Sequence, residues 1–328
     1  MSLATLGGVK AQTARVQVIH NSADRAADSV DVYLGSVRLL DNFAFRTATP
    51  FIDAPAGTPI TIGIAPKNSM SVTDTIFSVT VTLTSAQKYI LVANGLISAT
   101  GYTPSAAVAP FRLSVYPTAH EVADTAGRTD LLVLHGCTDA PTVDVRAGAA
   151  VLVNDVSFGQ FNSAGYLSLP TANYTISVTN AAGTATVKTY SAPLSTLGLT
   201  DSAITVLASG FLDSTVNSNG KKFGLWVALR QGGALIPLPE ATTAAIGTVD
   251  ANADFAVVPN PANDRVTISY TSGQVAVAAI YDMAGKLLIH SEKSLPASFN
   301  IASLAPGMYL IRFTNAEGVN FSKSFIKK

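Results

Sequence analysis

Apolar and polar positions alternate with period two through much of the chain. The alternation is plain in Arg15-Val16-Gln17-Val18-Ile19-His20, in Val79-Thr80-Val81-Thr82-Leu83, in Phe111-Arg112-Leu113-Ser114-Val115 and in Val266-Thr267-Ile268-Ser269-Tyr270. Side chains point to alternate faces of a pleated strand, so each run predicts a strand with one face buried. Turn chemistry separates the runs, at Ala54-Pro55-Ala56-Gly57, Asn94-Gly95, Ala182-Gly183, Asn219-Gly220 and Gly232-Gly233. No stretch joins helical periodicity to an N-cap over more than about ten residues. Short strands at such spacing predict an all-β chain made of β-sandwich domains in tandem.

The pattern is also written twice. Val18-Ile19-His20-Asn21-Ser22-Ala23-Asp24 returns as Val133-Leu134-His135-Gly136-Cys137-Thr138-Asp139. The copies stay in step through Val30-Asp31-Val32 and Val143-Asp144-Val145, Phe43 and Phe158, Pro55 and Pro170, and Ala93-Asn94-Gly95-Leu96 and Ala208-Ser209-Gly210-Phe211. Two domains of one kind follow, at 14–120 and 129–240, with a connector between them. The Ala/Thr-rich stretch 241–254 reads as a linker, and 255–328 as a third, unlike sandwich. Residues 1–13 read as the remnant of a leader, because Val9-Lys10-Ala11 has the small-x-small form of a cleavage site.

Charge narrows the function classes. Lys plus Arg total 21 and Asp plus Glu total 21, which leaves no basic excess for nucleic acid or an anionic membrane. No apolar run approaches the roughly 20 residues of a membrane-crossing helix. Cys137 is the one cysteine, so no intrachain disulfide and no thiolate zinc cluster is expected.

Residues Ala14 to Asp31 resemble the opening of an extracellular family, domain of unknown function 4397. Its members begin with an Arg-Val-x-Val-x-His strand, an Asp-bearing turn and a Val-Asp-Val strand, and both copies match at the His, the turn Asp and the Val-Asp-Val. The resemblance implies an immunoglobulin-like or transthyretin-like sandwich and no particular activity. In the second copy Arg146 stands where the first has Tyr33. The third unit resembles the C-terminal sorting domain of the type IX secretion system of Bacteroidetes. The likeness rests on Pro259, Asn260 and Pro261, on the Asp282, Gly285 and Lys286 turn, on Gly307 and Tyr309, and on the closing run with Lys323 and Lys327. It implies export through the periplasm to the outer surface or medium, with an outer-membrane translocon and its surface peptidase as partners.

His20 and His135 share strand parity with Val16 and Val18, or with Leu131 and Val133, and so face the apolar side. A hydrogen bond to the following turn, through Asp24 or Asp139, is the expected way to satisfy each ring. His120 and His290 lie in unrelated contexts, so no metal site is expected. Asp31 and Asp144 read as turn-capping carboxylates; with Asp24 and Asp28 a calcium cluster is the weaker reading. Trp226 has the parity opposite to Leu225 and Val227, which makes it a candidate glycan platform, with core packing as the competing role. Asp followed by Ser or Thr and a small or apolar residue recurs at Ser29, Thr75, Thr125, Ser202 and Ser214, a pattern resembling the O-glycosylation signal of exported Bacteroidetes proteins.

No nucleophile elbow, phosphate-binding glycine loop or His-Glu-x-x-His is present. The four glutamates, Glu121, Glu240, Glu292 and Glu317, all fall outside the repeated cores. The expectation is an exported, non-catalytic structural or adhesive protein without a cofactor, with self-assembly into a filament as a variant. A carbohydrate-binding module is the alternative, and a hydrolase with an unrecognised site ranks third.

Overall fold

A computed structural model describes residues 12–241, 255–270, 275–282, 286–291, 297–315 and 320–328. The leader at 1–11, the linker at 242–254 and Gly285 of the sorting motif lie outside the described residues. The chain divides into two compact units, 1–241 and 242–328. Among the described residues the only helical pieces are two short 3-10 turns, and the rest of the regular structure is strand.

The first copy is built from β1 (Thr13–His20), β2 (Ser29–Leu34), β3 (Val37–Ala44), β4 (Thr47–Ala48), β5 (Ile52–Pro55), β6 (Pro59–Pro66), β7 (Phe77–Thr82), β8 (Lys88–Asn94) and β9 (Arg112–Pro117). The second comprises β10 (Arg128–His135), β11 (Val143–Ala147), β12 (Ala150–Val156), β13 (Leu167–Pro170), β14 (Asn173–Asn180), β15 (Thr186–Pro193), β16 (Ser202–Ser209), β17 (Gly224–Leu229), β18 (Gly233–Ala234) and β19 (Ile236–Pro237). Each copy is a sandwich. An inner sheet ordered β4-β1-β8-β9 lies over an outer sheet β3-β2-β6-β7, and the second copy repeats this with β13-β10-β16-β17-β19 over β12-β11-β14-β15. At the centre of each inner sheet sits a parallel pair, His20 opposite Ala93 and His135 opposite Ala208.

The duplicated sequence produces more than two beads. Ile19, Ile90 and Val92 of the first inner sheet join Leu132, Leu134 and Leu207 of the second in one buried cluster. The other face of the same strands packs inside its own sandwich, where Val16 and Leu91 meet Val32 and Ile64. Four sheets therefore stack in one body, and the two inner ones are covered on both faces. That is why β8 and β16 read as nearly unbroken apolar runs, as parallel strands buried on both sides do. It also corrects the reading of β1 as a strand with one wet face: Gln17 is buried, its amide donating to Thr49 O at 2.9 Å and to Leu229 O of the second copy at 2.8 Å. The outer sheets keep the alternation. In β7, Phe77, Val79 and Val81 turn toward the core while Ser78, Thr80 and Thr82 are exposed. The strand β18 crosses back to pair with β4, placing Gly233 opposite Ala48.

Structure also shifts one detail of the internal alignment. Val30 pairs with Phe43, and Val143 pairs with Val156. Arg46 N donates to His20 O as Gly159 N donates to His135 O. Phe43 thus corresponds to Val156, and Phe45 to Phe158. The slip arises because two residues fewer separate Asp139 from Val143 than Asp24 from Val30.

The second unit holds β20 (Phe255–Val258), β21 (Arg265–Tyr270), β22 (Val275–Tyr281), β23 (Leu287–Ser291), β24 (Ala297–Asn300), β25 (Gly307–Asn315) and β26 (Asn320–Lys327). Its sheets are ordered β20-β21-β24 and β23-β22-β25-β26. Val266, Ile268, Ile280, Ile311 and Phe325 form its core.

Candidate functional site

The histidines of the repeat signature are folded into the sandwiches. His20 lies between Phe43, stacked at 5.9 Å, and Phe45, edge-on at 6.2 Å. Its Nε2 is 2.7 Å from Ala27 O, and since a carbonyl only accepts, Nε2 carries the proton. Nδ1 then accepts from Ser22 N at 3.4 Å. Burial pushes its pKa down to about 4, partly offset by the bond to Ala27 O. His135 repeats only the carbonyl bond, with Nε2 3.0 Å from Pro141 O, while its Nδ1 is buried without a partner, and burial lowers its pKa too. The expected partners of these rings, Asp24 and Asp139, are engaged elsewhere.

Asp24 ties the turn after β1 to the loop after β8. It accepts from Ala26 N at 2.9 Å, Ile97 N at 2.8 Å, Ser98 N at 2.6 Å, Ser98 Oγ at 2.8 Å and Tyr102 Oη at 3.0 Å. Burial alone would raise its pKa, but the donors from Ser98, Ala26 and Ile97 outweigh it and the value falls below the usual carboxylate range. Asp139 makes the corresponding tie between turn and loop in the second copy, accepting from Leu212 N and Asp213 N, both at 2.8 Å, and from Asn217 Nδ2 at 3.0 Å. Replacing Asp24 by Ala strands these part-buried donors and the buried Tyr102 hydroxyl, so Asp24→Ala is expected to cost about 3 kcal/mol of stability, measurable by urea unfolding. Asp24→Asn keeps an acceptor and should cost clearly less.

Asp31 and Asp144 hold the outer hairpins. Each accepts from a backbone N–H at 2.9 Å, of Asn42 and of Asp155, two residues at φ 53 and φ 50 where the strand pairing shifts register. Asp31 is completed by Ser69 Oγ at 2.6 Å and Arg38 at 3.3 Å, and Tyr33 Oη meets Ser69 Oγ at 2.9 Å. In the second copy Arg146 reaches Asp144 directly at 3.0 Å. The Tyr33 to Arg146 exchange thus swaps one means of satisfying a buried carboxylate for another. With their oxygens occupied by N–H and O–H donors, Asp24 and Asp31 form two separate anchors, and the calcium cluster does not assemble.

Trp226 faces away from its own core, as its parity implies, but into the seam between the copies. Arg46 covers its ring, with the guanidinium carbon 4.0 Å from the centroid, and also contacts Phe45 at 4.7 Å. The same guanidinium donates to Ser209 Oγ at 2.9 Å, Ser209 O at 3.0 Å and Lys222 O at 2.9 Å. Burial brings its pKa down to about 10. Arg46 occupies that face of the ring, and a sugar could stack there only by displacing it. Nearby, Asn21 of one copy lies against Gly136 of the other, bonded to Asn94 Oδ1 and Ala208 O at 3.3 Å each.

One constellation was not singled out by the sequence. At the connector between the copies, His120 Nδ1 is 3.1 Å from Asp130 Oδ2, an oxygen that also accepts from Asp124 N at 3.0 Å. His120 Nε2 stands 3.6 Å from Asp124 Oδ2. Tyr166 stacks on the imidazole at 4.1 Å and 8°, and its Oη accepts from His120 N at 3.2 Å. Burial pushes the Tyr166 phenol up to about 12. Asp130 is buried, which alone would raise its pKa, but the donors from Asp124 N, Ser168 and His120 pull it below the usual range. Atoms of His120, Asp124 and Asp130 lie within 4.8 Å of one another, a spacing that could hold a metal ion. His120 and Asp124 edge an open cleft of about 360 Å³ that Lys88, Thr118 and Glu121 also line, with Asp130 buried behind them. The three residues fall at the end of the first copy, on the connector and on β10, with no motif spacing, so only the fold brings them together.

Of the glycosylation candidates, Thr125 is exposed and lies in a turn, while Ser29, Thr75, Ser202 and Ser214 are half-buried. The Thr75 hydroxyl donates to Val72 O at 2.6 Å. In the second unit Asn260 Oδ1 accepts from Ile326 N at 2.9 Å, so the Pro259-Asn260-Pro261 segment lies along β26. Tyr309 stacks on Phe325 at 5.8 Å and donates to Ala305 O at 2.7 Å. Lys286 N donates to Asp282 Oδ1 at 2.9 Å. Gly307 pairs with Lys327, which is buried, and Lys323 is exposed.

Comparison with known proteins places these features. Residues 14–108 and 129–218 match the model of the domain of unknown function DUF4397. Residues 256–328 match the secretion system C-terminal sorting domain. No curated protein matches the chain. Among solved structures, the Bacillus anthracis TIE protein is similar at 11% identity and a TM-score of 0.17, over 96% of this chain and 48% of that one. A Bacteroides ovatus SGBP-B protein of a mixed-linkage glucan utilization locus, solved with a mixed-linkage heptasaccharide, is similar at 10% identity and a TM-score of 0.17, over 94% of this chain and 65% of that one. The chain thus spans about half of the first and just under two thirds of the second.

Proposed function

We infer that this chain, which belongs to the DUF4397 family and ends in a type IX secretion sorting domain, works outside the cell or on its surface as a non-catalytic structural or adhesive module. The sorting tail indicates export and handling by the type IX machinery. The observation that carries the non-catalytic reading is that His20, Asp24 and Asp31, with their counterparts His135, Asp139 and Asp144, are each engaged in holding a turn, a loop or a hairpin. Such residues give the passenger rigidity, which suits a module that presents surface. What it presents are the outer sheets, with hydroxyl pairs such as Thr61 with Thr80 at 3.2 Å and Ser177 with Thr189 at 3.3 Å. The edge strands β3 and β12 add exposed apolar side chains, Val37, Leu39 and Val151, and an unpaired edge of that kind supports self-association. The carbohydrate-binding alternative loses its best platform to Arg46.

Two measurements test the reading. Removing 256–328 in the native host should leave the passenger inside the cell envelope, seen by fractionation and immunoblot; normal release of the truncated passenger would refute the export assignment. Purified full-length protein should self-associate in buffer by light scattering or electron microscopy. A strictly monomeric protein that binds on a glycan array would select the carbohydrate reading instead.

A further inference from the structure

We propose that His120 Nε2 and the Asp124 carboxylate form a binding site for a divalent transition cation of the zinc class, with Asp130 as the buried carboxylate that orients both. The tautomer carries the first step. Asp130 Oδ2, accepting from Asp124 N as well, accepts the Nδ1–H of His120 at 3.1 Å, so in the neutral imidazole the Nε2 lone pair points at the cleft. There it meets the Asp124 carboxylate at 3.6 Å, beyond hydrogen-bond length. A lone pair and a carboxylate held that close repel each other unless a proton or a metal cation sits between them. The spacing suits one: two ligands about 2.0–2.1 Å from a tetrahedral zinc stand roughly 3.3–3.4 Å apart.

The surroundings are built rather than incidental. Ligating histidines usually donate their second ring nitrogen to a carboxylate, and Asp130 fills that place. Its side chain is only 2% exposed. The face of Tyr166 fixes the ring plane, so the imidazole is preorganised for one direction of approach. Asp124 is 74% exposed at the mouth, and the open cleft leaves room for water or a partner's side chain to complete the coordination. Glu121 is held by Arg15 at 3.1 Å and Lys88 at 3.3 Å, so it neutralises nearby cations rather than joining the ligand set. An imidazole with one nitrogen on a buried carboxylate and the other beside an exposed one fits a borderline cation better than calcium, which prefers several oxygens.

Zinc chloride titrated into the full-length protein in a calorimeter should show one saturable site. Cobalt in its place should give visible absorption bands, and zinc should displace them. His120→Ala and Asp124→Asn should each abolish the site, and Asp124→Asn, being exposed, leaves the fold intact. Asp130→Asn should weaken binding by roughly 10- to 100-fold, as loss of an orienting carboxylate does. His20 and His135 are buried and His290 lies in the sorting unit, so unchanged binding by Asp124→Asn and His120→Ala would move the site elsewhere and overturn the assignment. Absence of binding by the wild type at millimolar zinc would do the same and leave an imidazolium bridging two carboxylates.

Discussion

Between pH 7 and about pH 4.5 the protein is expected to lose roughly 2.5 kcal/mol of folding stability through His20 alone. The ring is buried, its Nε2–H bound to Ala27 O, and its pKa is pushed down to about 4 from an ordinary value of 6.5. Above about pH 6.5 neither state is protonated, so the residue has no pH-dependent effect. Between 6.5 and 4 the unfolded chain takes up a proton that the folded chain refuses, so stability falls as the pH falls. His135, whose pKa burial also lowers, adds in the same direction. Asp24 and Asp31 act in a lower window. Burial opposes them, but their donors hold both below the usual carboxylate range, so their contribution is present above the unfolded carboxylate value and is lost as the pH drops through the folded one. Urea midpoints at pH 7.5, 6 and 4.5 resolve the two windows. His20→Gln, which still donates but does not titrate, should flatten the upper window while lowering stability at neutral pH. Equal wild-type stability at pH 7.5 and 4.5 would contradict the buried neutral imidazole.

Gly136→Ala is expected to cost about 3 kcal/mol, the upper range for overpacking a closed site. A methyl group there would sit 2.6 Å from Ala208 O and would collide with the Asn21 amide. The backbone carbonyl belongs to the parallel β10–β16 pair and cannot retreat without breaking the ladder. The amide is equally confined, since Asn21 is buried and bonded to Asn94 and Ala208 O. This is the one stretch of the signature where the copies differ by design of fit: Asn21 in the first fills the space that Gly136 leaves open in the second. The clash has two parts, and removing one should show. Asn21→Ala alone should cost about 1 kcal/mol for its lost hydrogen bonds, and combined with Gly136→Ala it should recover part of the penalty. A double-mutant cycle by thermal unfolding that gave strict additivity would mean that the two residues do not meet.

The sandwich class, the duplication and the sorting unit are all legible in the sequence, because period-two alternation, repeated motifs and turn residues are local properties. The parity of His20 with Val16 and Val18 already places it inside. What alternation cannot reveal is the neighbour on a strand's second face. Gln17 and Trp226 carry the parity of outward residues, yet Gln17 is buried against the other copy and Trp226 is half-covered by it. The partners of buried polar groups are likewise set by tertiary distance. Asp24 reaches across to Ile97 and Ser98 rather than back to His20. His120, Asp124 and Asp130 escape notice for the same reason, since the end of the first copy and the connector that carries Asp124 read as a spacer until Asp130 and Tyr166 organise them.

Hydrogen exchange on the full-length protein tests most directly whether the two copies form one body. Amides of β1 and β8 and those of β10 and β16 share a single buried cluster, so they should exchange through one global opening with the same free energy and respond in parallel to low urea. If β10 and β16 opened while β1 and β8 stayed protected, or the reverse, the copies would be independent beads and the four-layer account would fail.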